Sequence, residues 1–389
     1  MHDTSIIFSL FLVFSGAALI ATLALYARQA LLIAYILVGA LLGPWSLDMV
    51  SNPTLIADIA NTGILFLLFL LGLSLEPKDL KKLFREAVLV TAASSAAFAG
   101  LGVVVAAAFG FSLIDSLLIG AAMMFSSTII ALKLLPTSAL HHQRMGELIV
   151  SVLLLQDMLA IFVLLGLEGL GNENNLLSET LILFVGLPLL AAGAWWVSKQ
   201  VLTRLFLRFS QIQEYLFLVS IGWCLGIAEL ATIIGLSHEV GAFVAGVTLA
   251  TSPVSRFIAE SLKPLRDFFL VLFFFALGAG FDIGALPEVL LPAVILAAIS
   301  VAIKPAVFRL LLRREQEKAR MAAETGARLG QISEFSLLIV VVASDLNVMT
   351  DKAAALMQSA TILSFVASSF WIVKRYPTPI SMDATLYRD

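Results

Sequence analysis

The stretch LIVSVLLLQDMLAIFVLLGL, residues 148–167, decides how the rest of the chain is interpreted. It is long and apolar enough to cross a bilayer, yet Gln156 and Asp157 lie near its centre. An ionised carboxylate at the midplane costs about 3 kcal/mol on insertion scales, and acids placed there mark ion pathways and proton relays. Asp157 is therefore a candidate functional residue. The alternative is a permanently protonated Asp157 that only hydrogen-bonds a neighbouring helix.

The composition indicates a membrane protein throughout. Of 389 residues, 60% are hydrophobic and 13% are charged, and the mean hydropathy is +1.01. Apolar runs of about 20 residues recur along the chain, and the short alternating segments of a β-barrel are missing from the sequence. The fold class predicted is an all-α polytopic membrane protein with about thirteen transmembrane helices.

The thirteen spans are predicted from apolar windows and loop residues. They fall at roughly 5–25, 30–46, 54–75, 87–109, 113–135, 145–170, 178–198, 213–230, 232–250, 265–280, 286–312, 322–345 and 352–374. The division of the eighth and ninth spans is placed at a short turn around Ala231.

The basic residues support this number of spans. With thirteen spans, every Lys and Arg except Lys304 and Lys352 falls in one set of alternating loops. Such a bias marks the cytoplasmic side, so we expect the N-terminus outside and the C-terminus inside. An even number of spans would mix the two sets of loops.

The fifth span carries three consecutive hydroxyl residues in FSSTIIALK, residues 125–133: Ser126, Ser127 and Thr128. Such hydroxyls can bond the backbone locally and disfavour a regular helix. Unwound backbone inside a membrane protein can supply carbonyl and hydroxyl oxygens to a cation. The alternative is that these hydroxyls only bond their own helix.

The twelfth span is interrupted in a similar way. In RLGQISEFSLL, residues 328–338, four non-apolar residues fall within about one and a half turns: Gly330, Gln331, Ser333 and Glu334. We expect a break here, with Glu334 either capping a helix or facing the cytoplasm. Two interrupted spans at corresponding places in two halves indicate inverted repeats with two crossing broken helices and a midplane site.

Lys304, in VAIKPAVF (residues 301–308), is the basic residue predicted to lie deepest inside a span. An ammonium at that depth needs a partner or a water-filled face, unless it snorkels to the interface. The chain has no phosphate-binding glycine loop, HExxH helix or nucleophile elbow. We therefore expect a transporter that is not an enzyme and needs no cofactor, with no nucleic-acid partner.

Seven motifs, taken in order, resemble the membrane part of bacterial monovalent cation–proton antiporters, and most closely their Kef-type potassium efflux branch. They are AYILVGALLGPW, LLFLLGLSLEP, SSTIIAL, LLLQDMLAI, GAFVAGVTLA, LFFFALGAG and GQISEFSLLI. The resemblance covers residues 30–345 and implies the sodium/proton-antiporter fold, an elevator movement and a homodimer in the bacterial inner membrane.

The resemblance also implies a division into domains. Residues 1–86 and 199–280 would form a dimerisation scaffold, residues 87–170 and 281–375 a mobile core, 171–198 a linker helix and 376–389 a short cytoplasmic tail. Kef-type systems continue into a cytosolic nucleotide-binding domain that residues 1–389 do not include, so the resemblance implies a regulatory domain or subunit as an expected partner besides the bilayer.

The resemblance assigns roles to the polar residues. Asp157 would bind the monovalent cation and the proton beside the unwound residues 126–128, with Gln156 adjacent. Lys304, Gln331, Ser333 and Glu334 would be the polar support of the core. Electrogenic sodium–proton relatives carry a second Asp where this chain has Gln156, whereas Kef-type members are similar to this chain.

One titrating carboxylate suggests electroneutral exchange of K+, or Na+, for H+, because Gln156 can orient Asp157 but cannot carry a second proton. Three alternatives remain at this point: a channel-like potassium pathway with a proton-sensitive gate, a sodium/proton antiporter, and a sodium-coupled transporter of an organic anion. The single Lys304 argues against the last, because an anion site would need a larger positive patch.

Overall fold

The computed structural model describes residues 6–27, 29, 31–50, 62–63, 65–66, 68–70, 72–73, 77–135, 144–171, 185–209, 211–236, 238–250, 252, 255–281 and 283–378. Within these residues the regular structure is helical. The α-helices are α1 Ile6–Tyr26, α2 Leu31–Leu42, α3 Pro77–Ala108, α4 Leu113–Met123, α5 Thr128–Lys133, α6 Arg144–Gly171, α7 Leu187–Val197, α8 Thr203–Arg208, α9 Gln213–Ile234, α10 His238–Ala250, α11 Ser255–Ala279, α12 Leu286–Ala298, α13 Lys304–Arg314, α14 Ala319–Arg328, α15 Glu334–Asp345 and α16 Asp351–Arg375.

These helices account for the predicted spans in the described part of the chain. Six helical segments there are long and apolar enough to cross a membrane, and three shorter apolar helices accompany them. The fifth and twelfth spans are each divided into two short helices, α4 with α5 and α14 with α15. The third span, 54–75, lies partly outside the described residues. The chain is an all-helical, multi-pass membrane protein.

Two predicted spans end too early, one by four residues and the other by ten. The eighth span does not end near Ala231, because α9 continues to Ile234 and is stopped by Gly235, whose φ of 93° places it in the left-handed region. Glycine adopts that conformation without a Cβ penalty, which makes it a common helix terminator. The seventh span does not end at 198, because a π-helical turn joins α7 to α8 and the helix runs on to Arg208.

The halves of the chain repeat each other in how their helices cross. A Cβ on Gly39 of α2 would overlap the carbonyl oxygen of Phe275 in α11, and a Cβ on Gly246 of α10 would overlap that of Phe69. The residues of the two crossings are related by nearly the same sequence separation. Gly246 lies 207 residues after Gly39, and Phe275 lies 206 residues after Phe69. Only glycine permits this approach. The nearly equal separations indicate that the two crossings are matched parts of an inverted repeat.

The same separation relates the two helix breaks. Ser127 directly precedes α5, and Ser333 directly precedes α15, so from 127 to 333 the separation is again 206. Each hydroxyl accepts a hydrogen bond from a backbone N–H of the helix it starts, Ile130 N at 3.2 Å and Phe335 N at 3.1 Å. Serine is a favoured N-cap for this reason. The fold thereby brings two capped half-helices into the middle of the protein.

Candidate functional site

The first break comprises residues 124–127, between α4 and α5. Its residues Ser126 and Ser127 are fully buried, so their backbone groups need partners inside the protein. The expected run of three unwound hydroxyl residues is shorter than predicted, because Thr128 is already the first residue of α5. The Ala131 N–H donates to the carbonyl of Ser127 at 3.2 Å, which anchors the start of the new helix.

The second break comprises residues 329–333, between α14 and α15. Ser333 caps α15 together with Ser336, whose hydroxyl accepts from the Ser333 N–H at 3.3 Å. The Ile332 N–H donates to Ser364 Oγ of α16 at 3.1 Å. Side-chain hydroxyls thus replace the helical hydrogen bonds that this break removes.

The two breaks contact each other directly. Ser126 Oγ donates to the carbonyl of Leu329 at 2.7 Å, and the Gln331 side-chain amide donates to the carbonyl of Ser127 at 3.2 Å. Ser336 Oγ donates to the carbonyl of Ala122, at the end of α4. The breaks therefore cross, as two interrupted spans in opposed repeats predict, and their freed backbone groups lie together within the protein.

Gln156 is fully buried and is held by the backbone of the first break. Its Oε1 accepts from the Ser126 N–H at 3.0 Å, and its Nε2 donates to the carbonyl of Met124 at 3.1 Å. One amide thus satisfies a donor and an acceptor on the two sides of Phe125. Only a group that both accepts and donates can do this, which explains physically why an amide suits the position.

Asp157 follows Gln156 on α6 and reaches the start of α5. Both of its carboxylate oxygens lie 3.5 Å from Thr128 Oγ1, and the residue is 3% exposed. The charge of Glu334, the first residue of α15, acts on Asp157 and repels it when both groups are ionised. A carboxylate in this position is strongly desolvated, so a bound proton or cation would stabilise it.

Lys304, the first residue of α13, is fully buried, so it does not snorkel to the interface. Its Nζ donates to the carbonyl of Phe125 at 2.7 Å and to that of Gln331 at 3.4 Å, one carbonyl from each break. The ammonium also lies 4.9 Å from the centre of the Phe98 ring. The ammonium therefore compensates carbonyl dipoles that lack a helical hydrogen bond because of the breaks. None of these described contacts of Lys304 is to a carboxylate.

The structure brings all nine predicted residues into one neighbourhood. Ser126, Ser127, Thr128, Gln156 and Asp157 are linked on the α4–α6 side, and Gln331 joins them to Lys304 and Ser333 through the second break. Within the described residues, no three His, Cys, Asp or Glu side chains form a metal cluster. The polar groups that line the crossing include carboxylate, hydroxyl and carbonyl oxygens, which suit hard cations.

Sequence reasoning missed three supporting residues. Ser364 and Ser368 of α16 hydrogen-bond the second break, at Ile332 N and at Gln331 Oε1. The signal was the row of hydroxyls in the last span, residues 359–369, which is unusual for a purely apolar contact. Phe98 gave no signal, because an aromatic residue in a membrane helix is common.

The comparisons with known proteins agree with this architecture. The family profile described as "Sodium/hydrogen exchanger, transmembrane" matches residues 11–375. A solved structure of the sodium proton antiporter MjNhaP1 from Methanocaldococcus jannaschii superposes with a TM-score of 0.71 at 17% identity, covering 98% of this chain and 97% of that one. At that identity the likeness concerns the fold alone.

Curated relatives carry three kinds of name. The chain is 28% identical to the iron transporter MagA of Paramagnetospirillum magneticum, over 89% of this chain and 80% of that protein. It is 29% identical to K(+) efflux antiporter 5 of Arabidopsis thaliana, over 92% and 64%. It is 32% identical to the glutathione-regulated potassium-efflux system protein KefC of Escherichia coli, over 92% and 58%. The chain thus spans less than two thirds of the length of these two potassium-efflux relatives.

Proposed function

This chain belongs to the sodium/hydrogen exchanger family of transmembrane proteins, and from that membership we propose that it is an electroneutral potassium/proton antiporter in which Asp157 binds the cation and the proton by turns. The observation that carries the proposal is the position of Asp157. The carboxylate is almost fully buried and lies against Thr128 at the crossing of the two broken helices.

One-for-one exchange follows from the groups that can titrate at this point. Asp157 ionised with K+ bound has the same net charge as Asp157 protonated without K+. The site therefore carries the same net charge across the membrane whether it is loaded with K+ or with H+. The oxygen and the nitrogen of the Gln156 amide are both hydrogen-bonded to backbone, and because an amide does not titrate, Gln156 cannot transport a proton. Lys304 holds carbonyls of both breaks, and one-for-one exchange requires that it keep one charge state through the cycle.

Potassium is proposed over sodium for two reasons. Two of the relatives named above are potassium-efflux proteins. Beside Asp157 the crossing offers mostly neutral oxygens, which suits a larger and more weakly hydrated cation. The family's description as a sodium/hydrogen exchanger leaves Na+/H+ exchange as the second candidate.

We further propose that residues 87–170 and 281–375 move as a core against a scaffold formed by residues 1–86 and 199–280, joined by linker residues 171–198. The hydrogen bonds at the crossing support this division, because they join α4, α5 and α6 to α13, α14, α15 and α16, which belong to the proposed core. The matched glycine crossings join scaffold helices to each other. The scaffold would form a homodimer in the inner membrane, with the basic loops and the tail, 376–389, in the cytoplasm.

The test is proton movement in proteoliposomes that contain the purified protein and an interior pH-reporting dye. Outward or inward gradients of K+, Na+, Rb+ and Li+ are imposed in turn, with Fe2+ added because one relative has an iron-transport name. The proposal expects K+ to drive protons in the opposite direction, and a pH gradient to accumulate K+ against its own gradient. Passive K+ flux without uphill accumulation would indicate a channel, and a response to Na+ alone would assign sodium exchange.

A further inference from the structure

A cavity of about 500 Å³ lies between α13, α14 and α16. That volume is within the range of small-molecule sites. Leu310 and Trp371 supply apolar wall, and each is about half exposed, at 56% and 50%. In a multi-pass membrane protein, such exposed apolar side chains face lipid, and tryptophan favours the membrane–water interface.

Two arginines give the cavity a positive end. Arg309 and Arg313 are four residues apart on α13, so they lie on the same helix face, and both are exposed. Among the described residues neither has a carboxylate within 4.0 Å, and the nearest acid on α14, Glu324, is paired with Arg328 at 2.8 Å. Like charges at this spacing repel, so an anion between them would be stabilised.

Two residues that line the cavity connect it to the candidate ion site. Pro305 and Ser368 line it. Pro305 directly follows Lys304, and Ser368 Oγ donates to Gln331 Oε1 at 3.1 Å. An occupant would therefore contact residues that are one bond or one hydrogen bond from the crossing.

We propose that this cavity binds an anionic phospholipid of the surrounding bilayer, with its phosphate at Arg309 and Arg313 and its acyl chain along Leu310 and Trp371. Basic pockets between transmembrane helices are known to take anionic headgroups, and arginine binds phosphate oxygens in a bidentate manner. Through Pro305 and Ser368, the bound lipid tunes the rate of ion exchange. The binding stands on the cavity alone, whereas the effect on rate rests on the proposed function.

Native mass spectrometry of the purified full chain measures the binding directly. Phosphatidylglycerol is titrated into protein held in neutral detergent, and Arg309→Gln/Arg313→Gln is compared with Arg314→Gln, an exposed neighbour that does not line the cavity. Each arginine should contribute about fivefold, so the double variant should bind roughly 25-fold more weakly while the control is unchanged. Equal binding by all three proteins would overturn the proposal.

Two further arms separate the alternatives. Excess inorganic phosphate should leave the lipid bound, because the acyl chain contributes to affinity; full displacement would show a simple anion site instead. In proteoliposomes, wild-type exchange should change rate between pure phosphatidylcholine and an equal mixture with phosphatidylglycerol, and the double variant should lose this response. An unchanged response in the double variant would refute the regulatory role. Lipid binding without any cation exchange would refute the proposed function and leave the lipid site standing.

Discussion

The contacts of Gln156 lead to a quantitative prediction about the first break. Replacing Gln156 with leucine keeps a similar volume but removes both hydrogen bonds, the one from Ser126 N–H at 3.0 Å and the one to the Met124 carbonyl at 3.1 Å. Because Gln156 is fully buried, water is not at hand to replace them. Each stranded buried group costs about 1–3 kcal/mol, so Q156L should lose about 2–6 kcal/mol of stability.

The assay is thermal unfolding in detergent, followed by intrinsic fluorescence, with Gln213→Leu as the matched control. Gln213 is exposed at the start of α9, so its replacement strands no buried group. We expect Q156L to melt several degrees below wild type and Q213L to melt at the wild-type temperature. Gln156→Glu should fall between them, since only a protonated carboxyl can both accept from Ser126 N–H and donate to the Met124 carbonyl. A Q156L protein as stable as wild type would refute the role assigned to the amide.

Four other outcomes are expected. Gln156→Asp should make flux depend on an imposed membrane potential, because a second titrating carboxylate moves with the site; indifference to voltage would contradict the single-carrier account. Glu334→Gln should retain cation-driven proton movement with an altered apparent cation affinity, and its complete loss would make Glu334 a second carrier. Lys304→Met should lose about 1–3 kcal/mol of stability per stranded carbonyl and should therefore melt at a lower temperature than Lys304→Gln. Equal melting temperatures would argue against the carbonyl contacts. Gly246→Ala should destabilise the protein because its Cβ overlaps backbone, whereas Gly226→Ala, with open space around it, should not; similar melting of the two would contradict the close crossing.

Local chemistry made the helix breaks predictable. The prediction rested on short runs of polar residues inside apolar spans, and such residues act on the backbone only a few positions away. Ser127 and Ser333 then cap the helices that follow the breaks. Their positions in the fifth and twelfth spans followed from counting apolar windows. The division of the eighth and ninth spans was misplaced because Ala231 is followed by polar Thr232, while the residue that ends α9 is Gly235, in a left-handed conformation.

Contacts across the site could not be predicted from the sequence. Ser126 and Leu329 are 203 residues apart and bond only because the two breaks cross. Gln156 was expected to orient Asp157, whereas its amide is bonded to the backbone of the break. Periodicity identifies which residues lie in the membrane, but the partner that each polar group finds depends on tertiary packing. The repeat was likewise invisible as residue identity and became visible in the geometry of Gly39 and Gly246.

The most direct test of the central claim compares Asp157→Asn with Asp115→Asn in the proteoliposome assay. The two carboxyls are equally buried, at 3% exposure, but Asp115 accepts from Thr350 N–H and Oγ1 at 3.0 Å, away from the crossing. The account predicts that D157N abolishes K+-driven proton movement while D115N, once its folding is verified, retains it. Robust exchange by a folded D157N protein would show that another group carries the ions.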